Sequence, residues 1–374
     1  MSETLEERVR SVIDGSGMAQ AEFADAIGMD PTKLSKSLSG RRRFSSLELA
    51  RVADVGRMSV DWLITGSAPF RPVFARRARA VDVGDEAGAS VVERLVLAVR
   101  GLAELDRPLA LPELPQLAQR SSWYLVEAAQ LAARYVDALG RRVAGLTMQE
   151  LVAAIEREFG VIVVIDELPD GIDGLSYEDA DARVVILAPT DHPLRQRFTL
   201  AHELAHIAFG DARQGMLEER LWAVRSNTES RANAFAAAFL APAEELRNLL
   251  GDRSASDVFP ELVERFQLSP DAMAWRLFNE DLIDETTRER LRGLTAKSIY
   301  LQMGKPADYF DLALAAGEPR PGWLLVNACV DAYRAGETTV KPVARLLGWT
   351  TEETEAFFAL DGDELDAESG LIED

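Results

Sequence analysis

The sequence places two histidines four residues apart with a glutamate between them, in Ala201-His202-Glu203-Leu204-Ala205-His206. On a helix, residues four apart share a face, so both imidazoles can reach one ion. Glu203 sits one residue along, where it can take a proton from water and hand it to a leaving amine. That is the chemistry of metal-assisted peptide hydrolysis. The bland alternative is a helix with two incidental histidines. The chain has 3 histidines in all, and two of them fall at this spacing, which favours the metal.

A catalytic zinc usually takes three protein ligands. No histidine follows His206, so the third must be a carboxylate or His192. Glu229 is the foremost candidate, because Glu229, Ala232, Asn233 and Ala236 share one helix face. Small residues there let this helix approach the first, and Asn233 can then orient a ligand. Otherwise Glu229 is a first-turn acid favoured by the helix dipole. Asp211, Glu218 and Glu219 are rivals. His192, before Pro193 in a polar loop, reads as a surface residue or as an oxyanion stabiliser in the cleft.

A second constellation lies near the start. Gln20–Gly28 followed by Met29-Asp30-Pro31-Thr32-Lys33-Leu34 has the shape of two short helices joined by a tight turn. Ala24 is small where helices cross, and Gly28 permits a left-handed turn. Leu34 and Leu38 face a core, which leaves Thr32, Lys33, Ser35, Lys36 and Ser37 outward. An outward helix with basic and hydroxyl residues suits a major groove, and Arg41, Arg42 and Arg43 suit phosphates. The alternative is a solvated basic turn.

Around these sets the elements follow from periodicity. Residues 1–66 read as short helices, with N-caps at Asp30, at Ser45 or Ser46, and at Ser59. A helix is expected over about Ala89–Leu105, where Val91, Val92, Leu95, Val99 and Leu102 form either a dimer surface or an internal packing face. Pro108, Pro112 and Pro115 then read as a linker. Helices follow from Ser121 to Leu139 and over Met148–Phe159. The period changes to strands at Val161–Ile165 and Val184–Leu187, with a short strand near Leu175 between turns. Helix resumes over Leu194–Phe209 and Thr228–Leu240. Ser269-Pro270 opens a helix whose Met273, Trp275, Leu277 and Phe278 read as packing residues. Cys329, in an apolar run, reads as a buried small residue.

Over about residues 121–250 the chain resembles the ImmA/IrrE family of metallopeptidases. The resemblance rests on the helix pair, Gly160-Val161, Gly174, Val184–Leu187, Arg197–His206, Glu229–Ala236 and Leu240-Ala241-Pro242. It implies zinc held by His202, His206 and Glu229, Glu203 as general base, and regulated cleavage of a specific protein, often a helix-turn-helix repressor. Residues 5–66 resemble the Xre/Cro/lambda-repressor family, including Gln20 at the start of the second helix. That implies binding to double-stranded DNA, at a palindromic operator as a homodimer.

The fold class expected is mainly α with a small β-sheet. It comprises a five-helix N-terminal helix-turn-helix domain (1–66), a connector and Pro-rich linker (67–120), an α+β zincin-like core (121–250), a helical C-terminal region (251–360) and an acidic tail (361–374).

The net charge of −21, taken as an average, argues against nucleic acid as a partner. By segment it does not. The first 66 residues carry nine basic against ten acidic groups, and five basic residues cluster within 33–43. One cysteine excludes a disulfide framework. No run is long enough to span a membrane, and the first residues lack the order of a signal peptide, so the cytoplasm is the expected location. The function expected is a DNA-binding transcriptional regulator with a zinc-dependent metallopeptidase domain. Two alternatives remain: an antitoxin-like repressor that binds a basic toxin, and a ligand sensor built on a peptidase fold.

Overall fold

The structure is a computed structural model describing residues 4–56, 63–64, 75–76, 85–117, 123–212 and 225–359. The chain divides into two compact units, Met1–Arg71 and Pro72–Asp374. It is mostly helical with one small mixed sheet.

In the first unit, α1 (Leu5–Ser16), α2 (Gln20–Ala26), α3 (Pro31–Leu38) and α4 (Ser46–Gly56) surround one core. Val9, Phe23, Ala24, Leu34, Val52 and Leu63 are its buried centre. Thr4 and Glu7 form a capping box at the start of α1, and the Asp30 carboxylate accepts from the Thr32 and Lys33 amides at the start of α3. Gly28 turns α2 into α3 with φ 63°. Arg8 is buried, and its guanidinium donates to the Leu63 and Ile64 carbonyls. The expected fifth helix, with its Ser59 cap, falls mostly on 57–62, outside the described residues.

The second unit begins with a two-residue strand, β1 (Ala75–Arg76), which the sequence reading did not foresee. It continues through α5 (Asp85–Glu104), α6 (Tyr124–Ala138) and α7 (Met148–Phe159). Then come β2 (Val161–Ile165), β3 (Gly174–Glu178), β4 (Arg183–Leu187), α8 (Pro193–Phe209) and α9 (Arg225–Leu240). The strand order is β1-β3-β4-β2, parallel between β2 and β4 and antiparallel elsewhere. Gly160 ends α7 in the left-handed conformation, φ 63°, and any Cβ there would lie 2.7 Å from the Ala110 carbonyl oxygen.

Helix α8 packs on β3 and β4, and α9 packs on α6 and α8. Both helices sit in the main core, where Tyr135, Phe159, Phe235 and Phe239 interlock. Helices α10 (Ala243–Leu250), α11 (Ala255–Phe266), α12 (Pro270–Asn279), α13 (Glu285–Arg292), α14 (Ala296–Gln302) and α15 (Pro306–Gly317) follow. Helix α16 (Trp323–Arg334) and helix α17 (Lys341–Leu347) pack against α5.

That packing decides between two readings left open. Val91, Val92, Leu95, Val99 and Leu102 are all buried within the single chain, so the α5 face is an internal packing face and not an open dimer surface. On α12, Met273 and Leu277 are buried as expected, but Trp275 is 38% exposed. Cys329 is buried, and burial pushes its thiol up to about 11. Among the described residues no helix is long and apolar enough to cross a membrane.

Candidate metal centre

Helix α8 has Pro193 at its first position and Gly210 as a left-handed C-cap, and nearly all of it is buried. A helix enclosed on every side must pair its polar groups internally. His202, Glu203 and His206 are 0–1% exposed. The Nε2 atoms of the two histidines face each other at 3.1 Å. Glu229, on the first turns of α9, brings Oε2 to 3.3 Å from His202 Nε2 and Oε1 to 3.5 Å from His206 Nε2. Among the described residues these three form a group able to hold a metal ion.

The donor set fits a cation. The Nδ1 of His202 lies 3.0 Å from Asn233 Oδ1, which assigns that nitrogen as the donor. The Nδ1 of His206 faces the Asp211 carboxylate at 3.7 Å, longer than a hydrogen bond but of the sign that favours N–H there. With N–H at Nδ1 of both rings, the two Nε2 atoms point at one place, an arrangement that repels unless a cation or a proton stands between them. A triangle of this size accommodates an ion about 2.0–2.2 Å from each corner. Charge agrees: Glu127, Glu203, Asp211 and Glu229 outnumber the one guanidinium among them, Arg231.

Arg231 holds Asp211 through Nη2, at 3.0 and 2.9 Å from its two oxygens. The guanidinium lies 4.0 Å from the centroid of the Phe209 ring. So Phe209, Arg231 and Asp211 form a chain of contacts ending behind His206, of the kind that fixes a ligand's ring.

Glu203 points at the same place from β3's side. Ser176 Oγ donates to Glu203 Oε2 at 2.8 Å, and Oε1 is buried with no hydrogen-bond partner. Burial raises the carboxyl above its ordinary range, Glu229 adds to this, and the two imidazoles and the Ser176 bond oppose it. A half-satisfied buried carboxylate is costly unless its open oxygen has a task. Strand β3 comes this close only because residue 174 is glycine. A Cβ there would lie 2.6 Å from Thr199 Cγ2 and 3.1 Å from Glu203 Cγ.

The rivals fall elsewhere. Asp211 stands behind His206, on the ring nitrogen away from the triangle. His192 caps the start of α8, exposed beside Asp191 at 3.4 Å. Glu218 and Glu219 lie outside the described residues. Ser176 and the Asp211–Arg231 pair were missed as supporting groups. A lone serine inside a buried strand was the available signal for the first.

In the first unit Gln20, Thr32, Lys33, Ser35, Lys36, Arg41 and Arg43 are exposed. Ser37 departs from the expected outward set, and Arg42, expected to suit phosphates, is paired within the unit. Ser37 is fully buried, and its Oγ accepts from Arg42 at 3.0 Å. Arg42 also makes a two-pronged pair with Glu48, at 2.9 and 2.8 Å. That guanidinium is committed to holding the turn after α3, because Ser37 falls on the same helical side as Leu34 and Leu38.

Residues 156–278 match the Peptidase_M78 family, described as the IrrE N-terminal-like domain. The sequence comparison with curated proteins gives no match. Among solved structures, the crystal structure of ComR from Streptococcus suis aligns over 97% of this chain and 96% of that chain. The alignment has 11% identity and a TM-score of 0.16, and nothing is carried over from it.

Proposed function

We propose that the protein is a DNA-binding transcriptional regulator whose second unit is a zinc-dependent metallopeptidase that cleaves a regulatory protein, such as a helix-turn-helix repressor. The observation that carries the peptidase reading is the His202/His206/Glu229 triangle with the open oxygen of Glu203 beside it. The match of residues 156–278 to the IrrE N-terminal-like domain supports it.

Zinc, when bound by His202, His206 and Glu229, supplies Lewis-acid chemistry. The chain's own residues do the rest. Glu203 Oε1 accepts the proton of the attacking water and returns it to the leaving amine. Ser176 holds Oε2, so the carboxylate cannot turn its open oxygen away. Burial raises the Glu203 carboxyl, which makes it a stronger proton acceptor than a solvated glutamate. Asn233 and Asp211 hold the two rings with Nε2 inward.

DNA binding is proposed for the exposed, basic surface of α3 and the Arg41–Arg43 turn, with Gln20, Thr32, Lys33, Ser35, Lys36, Arg41 and Arg43 as the contact set. Elemental analysis of the purified chain is expected to find about one zinc per chain, and the Glu203→Gln variant should keep that zinc while losing cleavage. A metal-free native protein, or a Glu203→Gln variant that still cleaves, would sink the peptidase reading.

A further inference from the structure

A groove of about 1080 Å³ opens beside the metal centre. It adjoins the site through two residues of α9. Asn233 lines the groove and also holds His202, and Ser230 lines it directly after the ligand Glu229. The floor continues along α8 through Phe198, one turn before His202. Aromatic rings wall it: Trp123 just before α6, Tyr124 at its first position, Trp275 from α12, and Tyr309 from α15. Trp123 is 61% exposed and Trp275 38%, so apolar surface is left open to water along this groove.

Its charge is opposite to that of the molecule. The groove is lined by four cations, Arg195, Arg276, Arg292 and Lys297, against two carboxylates, Asp271 and Glu280. Both carboxylates are taken, by Arg292 at 2.9 Å and Arg276 at 2.6 Å. Arg195 pairs with Asp173, which is not part of the lining. Lys297 is exposed and has no ion-pair partner among the described residues. A chain of net charge −21 thus keeps, next to the candidate metal ligands, an aromatic-walled groove whose lining cations outnumber its lining carboxylates and whose Lys297 is unpaired among the described residues.

From this juxtaposition we infer that the groove binds the polypeptide substrate beside the scissile bond, and selects a segment whose apolar side chains are flanked by Asp or Glu. The volume is just above the range for small-molecule sites, about 300–1,000 Å³, and suits several residues of extended chain. The aromatic walls take apolar side chains, while the unpaired ammonium of Lys297 favours acidic neighbours over basic ones. The inference rests on the peptidase reading for the word substrate, and its test is a binding measurement that needs no turnover.

The test uses the full chain carrying Glu203→Gln and two fluorescein-labelled peptides of equal length. In one, Leu and Phe alternate with Glu; in the other, with Lys. Fluorescence polarisation should show the acidic peptide binding about tenfold or more tightly than the basic one. Adding Trp275→Ala should weaken the acidic peptide severalfold. Adding Lys297→Glu, at an exposed position with no pairing to lose, should shrink the acidic preference. Equal binding of the two peptides overturns the inference, as does binding that neither variant changes. Incubating the wild-type chain with the acidic peptide separates the two readings. Selective binding without cleavage leaves the groove standing and counts against the peptidase, while cleavage without charge preference does the reverse.

Discussion

The two units carry their polar residues in opposite ways. In the first, Lys33, Lys36, Arg41 and Arg43 stand in water on short helices and a turn. In the second, His202, Glu203 and His206 are sealed inside a helix that is itself core. An exposed cation needs only a rough position to meet a phosphate, and water solvates it until then. A buried imidazole or carboxylate must be matched atom by atom, because each unpaired group costs about 1–3 kcal/mol. Damage to the first unit's surface should therefore be graded and additive. Damage to the metal centre should be steep and shared among residues.

The sharpest break is Glu203→Gln, which removes the proposed proton acceptor while keeping shape. Cleavage should fall roughly 10²–10⁴-fold with zinc content unchanged. Arg231→Ala comes next. It frees Asp211 from behind His206 and removes the contact with Phe209, so zinc affinity in a chelator competition should drop about 10–100-fold. Unchanged affinity would mean that the triangle is held without this chain of contacts.

Gly174→Ala tests the close approach of β3. The added carbon overpacks against Thr199 and Glu203, at a cost of about 1–3 kcal/mol read from denaturant midpoints. Cleavage should fall further than stability alone explains, because Glu203 is one of the displaced groups.

Smaller and additive effects are expected in the first unit. Lys33→Ala, Arg41→Ala or Arg43→Ala should each flatten the salt dependence of DNA binding by about one unit of log–log slope. Arg42→Ala should leave that slope alone and lower the unit's thermal midpoint, since its guanidinium is spent on Ser37 and Glu48. The smallest effect is on acid stability. The Arg42 hydrogen bond draws the Glu48 carboxyl down to about 2, against opposing burial and with help from Ser45. A depressed folded value stabilises above the ordinary glutamate range and is lost as pH falls toward about 2. Glu48→Gln should flatten the unit's stability between roughly pH 4.5 and 2.

Most of the elements were legible from their apolar pattern, periodic where one face of a helix is buried and continuous where a strand is buried on both faces. The strand Val161–Ile165 and the helix Met148–Phe159 were read at their observed limits, since a glycine stop and a change of period both fall at Gly160. His202, Glu203, His206 and Glu229 were legible from spacing, and Asn233 followed from sharing a face with Glu229. What spacing cannot show is a contact made across elements. Ser176 reaches Glu203 from a strand 27 residues earlier in the chain, and Arg231 reaches back 20 residues to Asp211. Ser37, expected outward, is buried, and the Arg42 pairing was not read, for the same reason: composition gives a basic cluster, but only packing shows which side chains it pairs. The α5 face could be assigned only once α16 and α17 were seen to cover it.

Cys329 has a practical consequence. It is the chain's single thiol, it sits inside α16, and its thiolate is disfavoured by burial. A maleimide reacts with exposed thiolate, so the native chain should label slowly or not at all. A cysteine engineered at exposed Lys297, or at exposed Arg43 in the first unit, would then carry a dye without deletion of the native thiol. Occupancy of the groove and engagement of DNA could each be followed by a reporter at one known place.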